Sequence, residues 1–282
     1  MCASFRIKPE ATADIGIFGG TGNYDPYYLE DMKAIKVYTP YGAPSDLVRV
    51  GKVKGKKVAF IPRHGANHTI PPYKINYRAN VWTMRALGVK RIISPTAVGS
   101  LQPEFIKPYE FVVPDQFFDR TSERRNLSFY EGGYVGHVPF ADPICPELKE
   151  LTLKTARRIL PDVKVHPTPD EMSGSFTYVC IEGPRFSTRA ESLFYKKMGF
   201  SVVGMTALTE AYLAREAEMC YLNISLITDT DVYGLMPVTA ERVARSMKEN
   251  VKNVNQLLYA IVPELPEERS CHCDTVLDYS LY

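Results

Sequence analysis

Two acids lie close together in Thr228-Asp229-Thr230-Asp231, directly after the apolar run YLNISLI at 221–227. If the chain stays extended, alternate side chains share a side, so both carboxylates can face one ligand. Such a pair could bind a metal, although no histidine or further acid lies close in sequence. It could equally cap a helix or stand in solvent. A third use is to read an amino group: a carboxylate accepts from an exocyclic amine, and a protonated Asp donates to a ring nitrogen. A second set of residues combines hydroxyls, glycines and one cation. Gly19-Gly20-Thr21-Gly22 follows IGIF, Arg63-His64-Gly65 follows KVAFIP, Thr96-Ala97-Val98-Gly99-Ser100 follows RIISP, and Gly204-Met205-Thr206 follows SVV. The first loop holds neither G-x-G-x-x-G nor Gly-Lys-Ser/Thr, so it is not a dinucleotide fingerprint or a Walker A loop. Its amides and hydroxyl suit an oxyanion, or the segment is a plain glycine turn. Arg63 matches phosphate geometry, or serves a salt bridge. Together Thr21, Arg63, His64, Thr96 and Thr206 can surround a small tetrahedral anion with neutral donors and one positive charge.

Short runs rich in β-branched residues must position these groups. They are 15–18, 57–61, 91–94, 111–114, 176–181, 201–205 and 221–227. Between them, 75–88 places Ile75, Ala79, Trp82 and Ala86 on one helical face, and Gly88 suits its end. Segments 187–198 and 206–219 also read as helices. Thr239 can cap a long helix with Glu241 in its first turn, but Arg242 at the third position makes no capping box. Strands alternating with helices imply an α/β fold: one domain over 1–282 with a mixed, largely parallel central sheet flanked by helices. Ligands collect at the carboxyl ends of such strands. The stretch 119–142 reads as a long loop, and the tail after Pro263 as peripheral.

The chain has 282 residues and a formal net charge of +2, which selects neither nucleic acid nor a membrane surface as partner. No apolar run reaches the roughly 20 residues needed to span a bilayer, and MCASFRIKPE lacks the core of a signal peptide, so a cytoplasmic location is expected. Six cysteines stand at 2, 145, 180, 220, 271 and 273. Reduced thiols are the cytosolic norm. Cys271-His272-Cys273 is spaced more tightly than structural zinc pairs, so the expectation is no metal: two free thiols, or a disulfide.

GGTG, RHG followed by His68, TAVGSL, VPDQFFDRT, ADPIC, IEGPRFSTRAES, GMT…E and TDTD follow one another in this order. In that arrangement residues from about 14 to 262 resemble the 5'-methylthioadenosine phosphorylases, within the trimer-forming purine nucleoside phosphorylases. The resemblance implies attack of inorganic phosphate on C1' of methylthioadenosine, with no cofactor. It implies phosphate contacts at Thr21, Arg63, His64, Thr96, Ala97 and Thr206. Purine contacts fall on Phe186, Ser187, Asp229 and Asp231, with the two acids catalytic and Thr228 a further substrate-binding residue. Met205 lies against the ribose, and His137 reaches the methylthio end of a neighbouring subunit's site. Val232, Val238 and Val243 are candidates for the rest of that pocket. A homotrimer or a hexamer built from two trimers is implied. The C-terminal cysteines resemble the tails of hyperthermophilic archaeal forms, which carry disulfides, and this implies a Cys145–Cys220 pairing.

Asp229 would share a proton with the departing base, which requires its pKa to be raised by burial and by Asp231. Phe186 reads as a wall for base stacking. Arg185 and Glu182 read as a structural ion pair. Thr209 stands where the family often has proline, Thr230 where it often has tyrosine, and Pro95 precedes Thr96. The rival readings are a phosphorylase of broader or 6-oxopurine preference, a hydrolytic nucleosidase, and a nucleoside-binding module without turnover. A 6-oxo group is an acceptor and would meet an ionised carboxylate, which disfavours the first.

Overall fold

The computed structural model describes residues 13–23, 25–122, 128–131, 133–171, 175–231 and 238–281. The strands are β1 (Ile15–Gly19), β2 (Glu30–Ile35), β3 (Val48–Val53), β4 (Lys56–Pro62), β5 (Arg91–Ser100), β6 (Phe111–Val112), β7 (Gln116–Arg120), β8 (Val165–His166), β9 (Thr177–Ile181), β10 (Val202–Gly204) and β11 (Cys220–Thr230). The helices are α1 (Tyr77–Ala86), α2 (Pro146–Ile159), α3 (Arg189–Lys197), α4 (Ala207–Glu216) and α5 (Ala240–Glu264). All strands join one sheet, ordered β2-β3-β4-β1-β5-β10-β9-β7 along its main path, with β11 on the other edge of β5, then β6 and β8. The pairings of β1 with β4 and β5, of β5 with β11, and of β9 with β7 and β10 are parallel. A mixed, largely parallel α/β sheet is therefore observed.

Helix α1 starts at Asn76, whose side chain accepts from Ala79 N, and α3 starts in a capping box between Thr188 and Glu191. Thr239 caps α5 by accepting from Arg242 N. Helix α2 packs on α5 and β11, and α1 packs on α4. Strand β11 is buried on both faces, which explains its nearly continuous apolar run.

The feature that makes room for a site is a split in the sheet. On one edge, β5 pairs with β1 through Arg91, Ile92 and Ile93, and with β10 only at Gly99 and Ser100. Among the described residues, this edge of 94–98 has no strand partner, while the other edge pairs with β11. Arg63, at the end of β4, enters this split: Nη2 donates to Phe18 O on β1 (2.8 Å) and Nη1 to Pro95 O on β5 (3.0 Å). Because N–H and C=O of one strand residue face the same edge, the amide that Pro95 lacks would have faced the split, and no ladder bond is lost. The same alternation turns the Ala97 amide toward the split.

The tail is held against the body. Arg91 Nη2 donates to Glu268 O at 2.8 Å, Ser270 N to Glu147 Oε2 at 2.7 Å, and His137 N to Ser280 O at 2.8 Å. The Cys145–Cys220 disulfide is not formed: neither cysteine is in a disulfide, and the same holds for Cys271 and Cys273. The sulfurs of Cys220 and Cys271 lie 3.4 Å apart, far beyond the roughly 2.05 Å of a disulfide.

Candidate active site

The carboxyl ends of β1, β4 and β10, the central part of β5 and the end of β11 open into one cavity of about 470 Å³, within the range of small-molecule sites. Thr21, Arg63, His64, Thr96, Ala97, Phe186, Ser187, Met205, Thr206, Thr228, Asp229 and Asp231 all line it. These residues come from six separate stretches of chain, so their convergence is a property of the fold.

On one side the groups suit an anion. Arg63 is 1% exposed and Glu210 2%, and they meet at 2.6 Å through Nε and Oε1. Arg63 Nη2 also donates to Ser94 Oγ at 2.6 Å. With the two strand carbonyls, four of the five guanidinium N–H groups are committed, and one on Nη1 remains for a ligand. Arg63 is therefore first a buried wedge that keeps the split open, and only through its last donor an anion contact. Glu210 also accepts from Ser94 Oγ (2.5 Å) and Tyr221 OH (2.9 Å). Gly20 makes the wedge possible, since a Cβ there would lie 2.4 Å from Arg63 Nη1.

Thr96 Oγ1 accepts from Asn223 Nδ2 at 2.9 Å, so its own proton is available to the cavity. Asn223 is oriented by Ser225, whose hydroxyl donates to Asn223 Oδ1 at 2.6 Å. Thr206 precedes α4 and its hydroxyl makes no cap bond, so the positive helix end and a spare hydroxyl share that wall. His64 Nδ1 lies 2.8 Å from Ile70 O. A carbonyl can only accept, so Nδ1 carries the proton. Burial, then the Arg63 charge, push the His64 pKa down to about 3. The neutral ring therefore keeps Nε2 as an acceptor, which suits an anion that brings a proton of its own.

On the other side the groups suit a heterocycle. Strand β11 slips register against β5 between Ile227 and Asp229, a bulge at Thr228 that turns both Thr228 and Asp229 toward the cavity. Each acid has one oxygen held by a hydroxyl. Thr228 Oγ1 donates to Asp229 Oδ1 at 2.6 Å, and Ser192 Oγ of α3 donates to Asp231 Oδ2. Asp229 Oδ2 and Ser187 Oγ are buried with no partner among the described residues, the condition expected of polar atoms that await a ligand. Burial raises the pKa of Asp229, opposed by the Thr228 hydrogen bond and the Arg242 charge. Burial raises Asp231 to about 6, with Asp229 adding to the rise and Ser192 opposing it. The pair can thus hold a proton near neutral pH. Gly99 is the floor beneath them: a Cβ there would lie 3.1 Å from Asp231 Cβ and 3.2 Å from Asp229 Oδ2. Phe186, 40% exposed, presents its ring at the rim.

His137, expected at a neighbouring subunit's site, is exposed and does not line this chain's own cavity. Val243 lines it, Val238 does not, and Val232 lies outside the described residues. Arg185 does not pair with Glu182 as expected. Its two terminal nitrogens hold Glu191 at 2.8 and 2.7 Å, because Glu191 is fixed in reach by the α3 capping box, while Glu182 accepts from Ser122. The supporting residues Glu210, Ser94, Tyr221, Asn223 and Ser192 escape the sequence analysis as positioning groups. Glu210 and Ser192 fall inside the family motifs and Ser94, Tyr221 and Asn223 inside the apolar runs, but nothing local to any of them signals a partner up to 147 residues away.

This geometry agrees with what known proteins share with the chain. An S-methyl-5'-thioadenosine phosphorylase from Thermofilum pendens is 51% identical over 267 residues, 95% of this chain and 98% of that protein. One from Saccharolobus solfataricus is 49% identical, over 98% and 99% of the two chains. Among solved structures, a methylthioadenosine phosphorylase from an antarctic soil metagenomic library superposes with a TM-score of 0.88 at 39% identity, covering 97% of this chain and 93% of that one. The Schistosoma mansoni methylthioadenosine phosphorylase in complex with adenine gives 0.84 at 34% identity, covering 91% and 93%. Residues 14–263, which carry every wall of the cavity, match the family described as the phosphorylase superfamily, and the chain belongs to that family.

Proposed function

We propose that the protein catalyses the phosphorolysis of 5'-methylthioadenosine to adenine and 5-methylthioribose 1-phosphate. The observation that carries this reading is the joining, in one cavity, of anion donors with a pair of buried acids of raised pKa. Phosphate would be held by the hydroxyls of Thr21, Thr96 and Thr206, the Ala97 amide and the last N–H of Arg63. The acceptor on His64 suits the proton of monohydrogen phosphate. A phosphate oxygen forms a bond to C1' as the C1'–N9 bond breaks, and the electron pair of that bond passes to the purine. Positive charge growing on the ribose is stabilised by the dianion beside it. Negative charge growing on the purine is relieved by a proton from the Asp229/Asp231 pair, with Asp229 as the donor toward N7. The second acid and Ser187 hold the base, Phe186 stacks on it, and Met205 packs against the ribose. An apolar wall at the 5' end favours a thioether over a hydroxyl by about 1–3 kcal/mol.

In this reading phosphate is a co-substrate and no cofactor is needed. The partners are small molecules, not nucleic acid or membrane, and the work is methionine and purine salvage in the cytoplasm. Among the described residues no helix is long and apolar enough to cross a membrane. The protein would act as a homotrimer or hexamer in which His137 completes a neighbour's site. Exposed Tyr134 and Val135 beside it offer an apolar surface for that contact. Comparing kcat/KM for methylthioadenosine and inosine tests the specificity: a clear preference for methylthioadenosine is expected, and a higher value for inosine overturns it.

A further inference from the structure

Away from the cavity, four cysteines from three parts of the chain converge. Cys145 immediately precedes α2, Cys220 opens β11, and Cys271 and Cys273 come from the tail. Their sulfurs all lie within 4.8 Å of one another, and Cys220 and Cys271 are 3.4 Å apart. We propose that these four thiols form a tetrathiolate site for a soft divalent cation, zinc.

The dimensions fit. Zinc–sulfur bonds of about 2.3 Å in a tetrahedron set the sulfurs about 3.8 Å apart, close to the spacing found and nearly twice a disulfide bond. The donor set is uniformly soft and supplies four ligands, which is the closed arrangement of a structural zinc centre. His272, between the two tail cysteines, is exposed and outside the group, so the short Cys-x-Cys spacing delivers two sulfurs to one point.

The surroundings also suit the charge. Zinc displaces four thiol protons, which leave as H⁺, and the resulting centre carries two negative charges. Cys145 lies at the N-cap of α2, whose positive end faces the negative charge of such a centre. Arg91 pairs in register with Cys220, is buried, and has an Nε with no partner among the described residues. Its Nη2 is anchored on Glu147 and on Glu268 O, one residue after Pro146 and three before Cys271.

Such a centre has a consequence for the tail. Cys271 and Cys273 would be clamped to α2 and β11, and the segment beyond them reaches the strip around His137 through Ser280 O and the Gly136–Leu281 bridge. Loss of the clamp would release both.

The full chain, purified under reducing conditions without added chelator, should carry one zinc per chain by elemental mass spectrometry. Exchange with Co²⁺ should give tetrahedral d–d bands and a sulfur-to-cobalt charge-transfer band. Cys271→Ser and Cys273→Ser should each weaken that band and lower zinc affinity at least tenfold. Chelation should lower the thermal midpoint of the unaltered chain. A metal-free chain lighter by the four hydrogens that two disulfides remove would overturn the proposal. So would four thiols that alkylate freely in the native protein and develop no cobalt spectrum. None of these readouts depends on enzymatic turnover, so they fail or succeed independently of the proposed reaction.

Discussion

Glu210→Ala removes the carboxylate that faces Arg63 across 2.6 Å, with both side chains almost wholly buried. The guanidinium cannot lose its proton, and the α4 side of the split offers it no other acid at that distance, so its charge is left uncompensated. Deleting one partner of a buried pair costs about 3–5 kcal/mol. The hydroxyls of Ser94 and Tyr221 lose the same acceptor, but each can turn to seek another, so their loss lies inside that range. About 3–5 kcal/mol is a factor of roughly 10² to 10⁴ in the folding equilibrium, against a total stability of about 5–15 kcal/mol for a typical domain. Urea unfolding without phosphate, at fixed protomer concentration, reads the cost directly. Glu210→Gln keeps the volume and one acceptor, and is expected to fold. Its looser hold on Arg63 should raise the KM for phosphate more than it lowers kcat. Glu210→Ala within about 1 kcal/mol of the unaltered chain, or Glu210→Gln with an unchanged phosphate KM, would refute the wedge role given to Arg63.

Three other outcomes are expected. Asp229→Ala should lower kcat by 10²-fold or more, and a raised KM with unchanged kcat would contradict proton donation to the leaving base. In Ser192→Ala, Asp231 loses the hydrogen bond that favours its ionised form, so its pKa climbs further above about 6. The protonated pair then survives to higher pH, and the alkaline limb of kcat/KM should move upward; a limb that stays or moves down counts against the pair. Gly99→Ala pushes a methyl against both acids at 3.1 and 3.2 Å and should cut activity while leaving the fold intact by circular dichroism, whereas full activity would show that the acids are not held there.

The strand ends were readable because each joins a β-branched run to glycine, hydroxyl or charge within a few residues. Strand β5 extends past its readable run, through Pro95 to Ser100, because the proline sits where the sheet is split and no ladder amide is missed. Strand β2 reads EDMKAI and is mostly exposed, so no apolar alternation marks it; only pairing with β3 makes it a strand. In α2 the buried face includes Thr152 and Thr155, which dilute the helical pattern. Arginine 63 illustrates the limit at the site itself. Its residue type points to an anion, but the four bonds that consume most of its donors come from β1, β5 and α4. The cysteine cluster lies further out of reach, because Cys145 and Cys273 are brought together only by the folded tail.

The most direct test of the proposed reaction is adenine release from methylthioadenosine with and without inorganic phosphate, with analysis of the sugar product. Release that depends on phosphate and yields 5-methylthioribose 1-phosphate in equal amount is predicted. Undiminished release of adenine and free methylthioribose in phosphate-free buffer would contradict it.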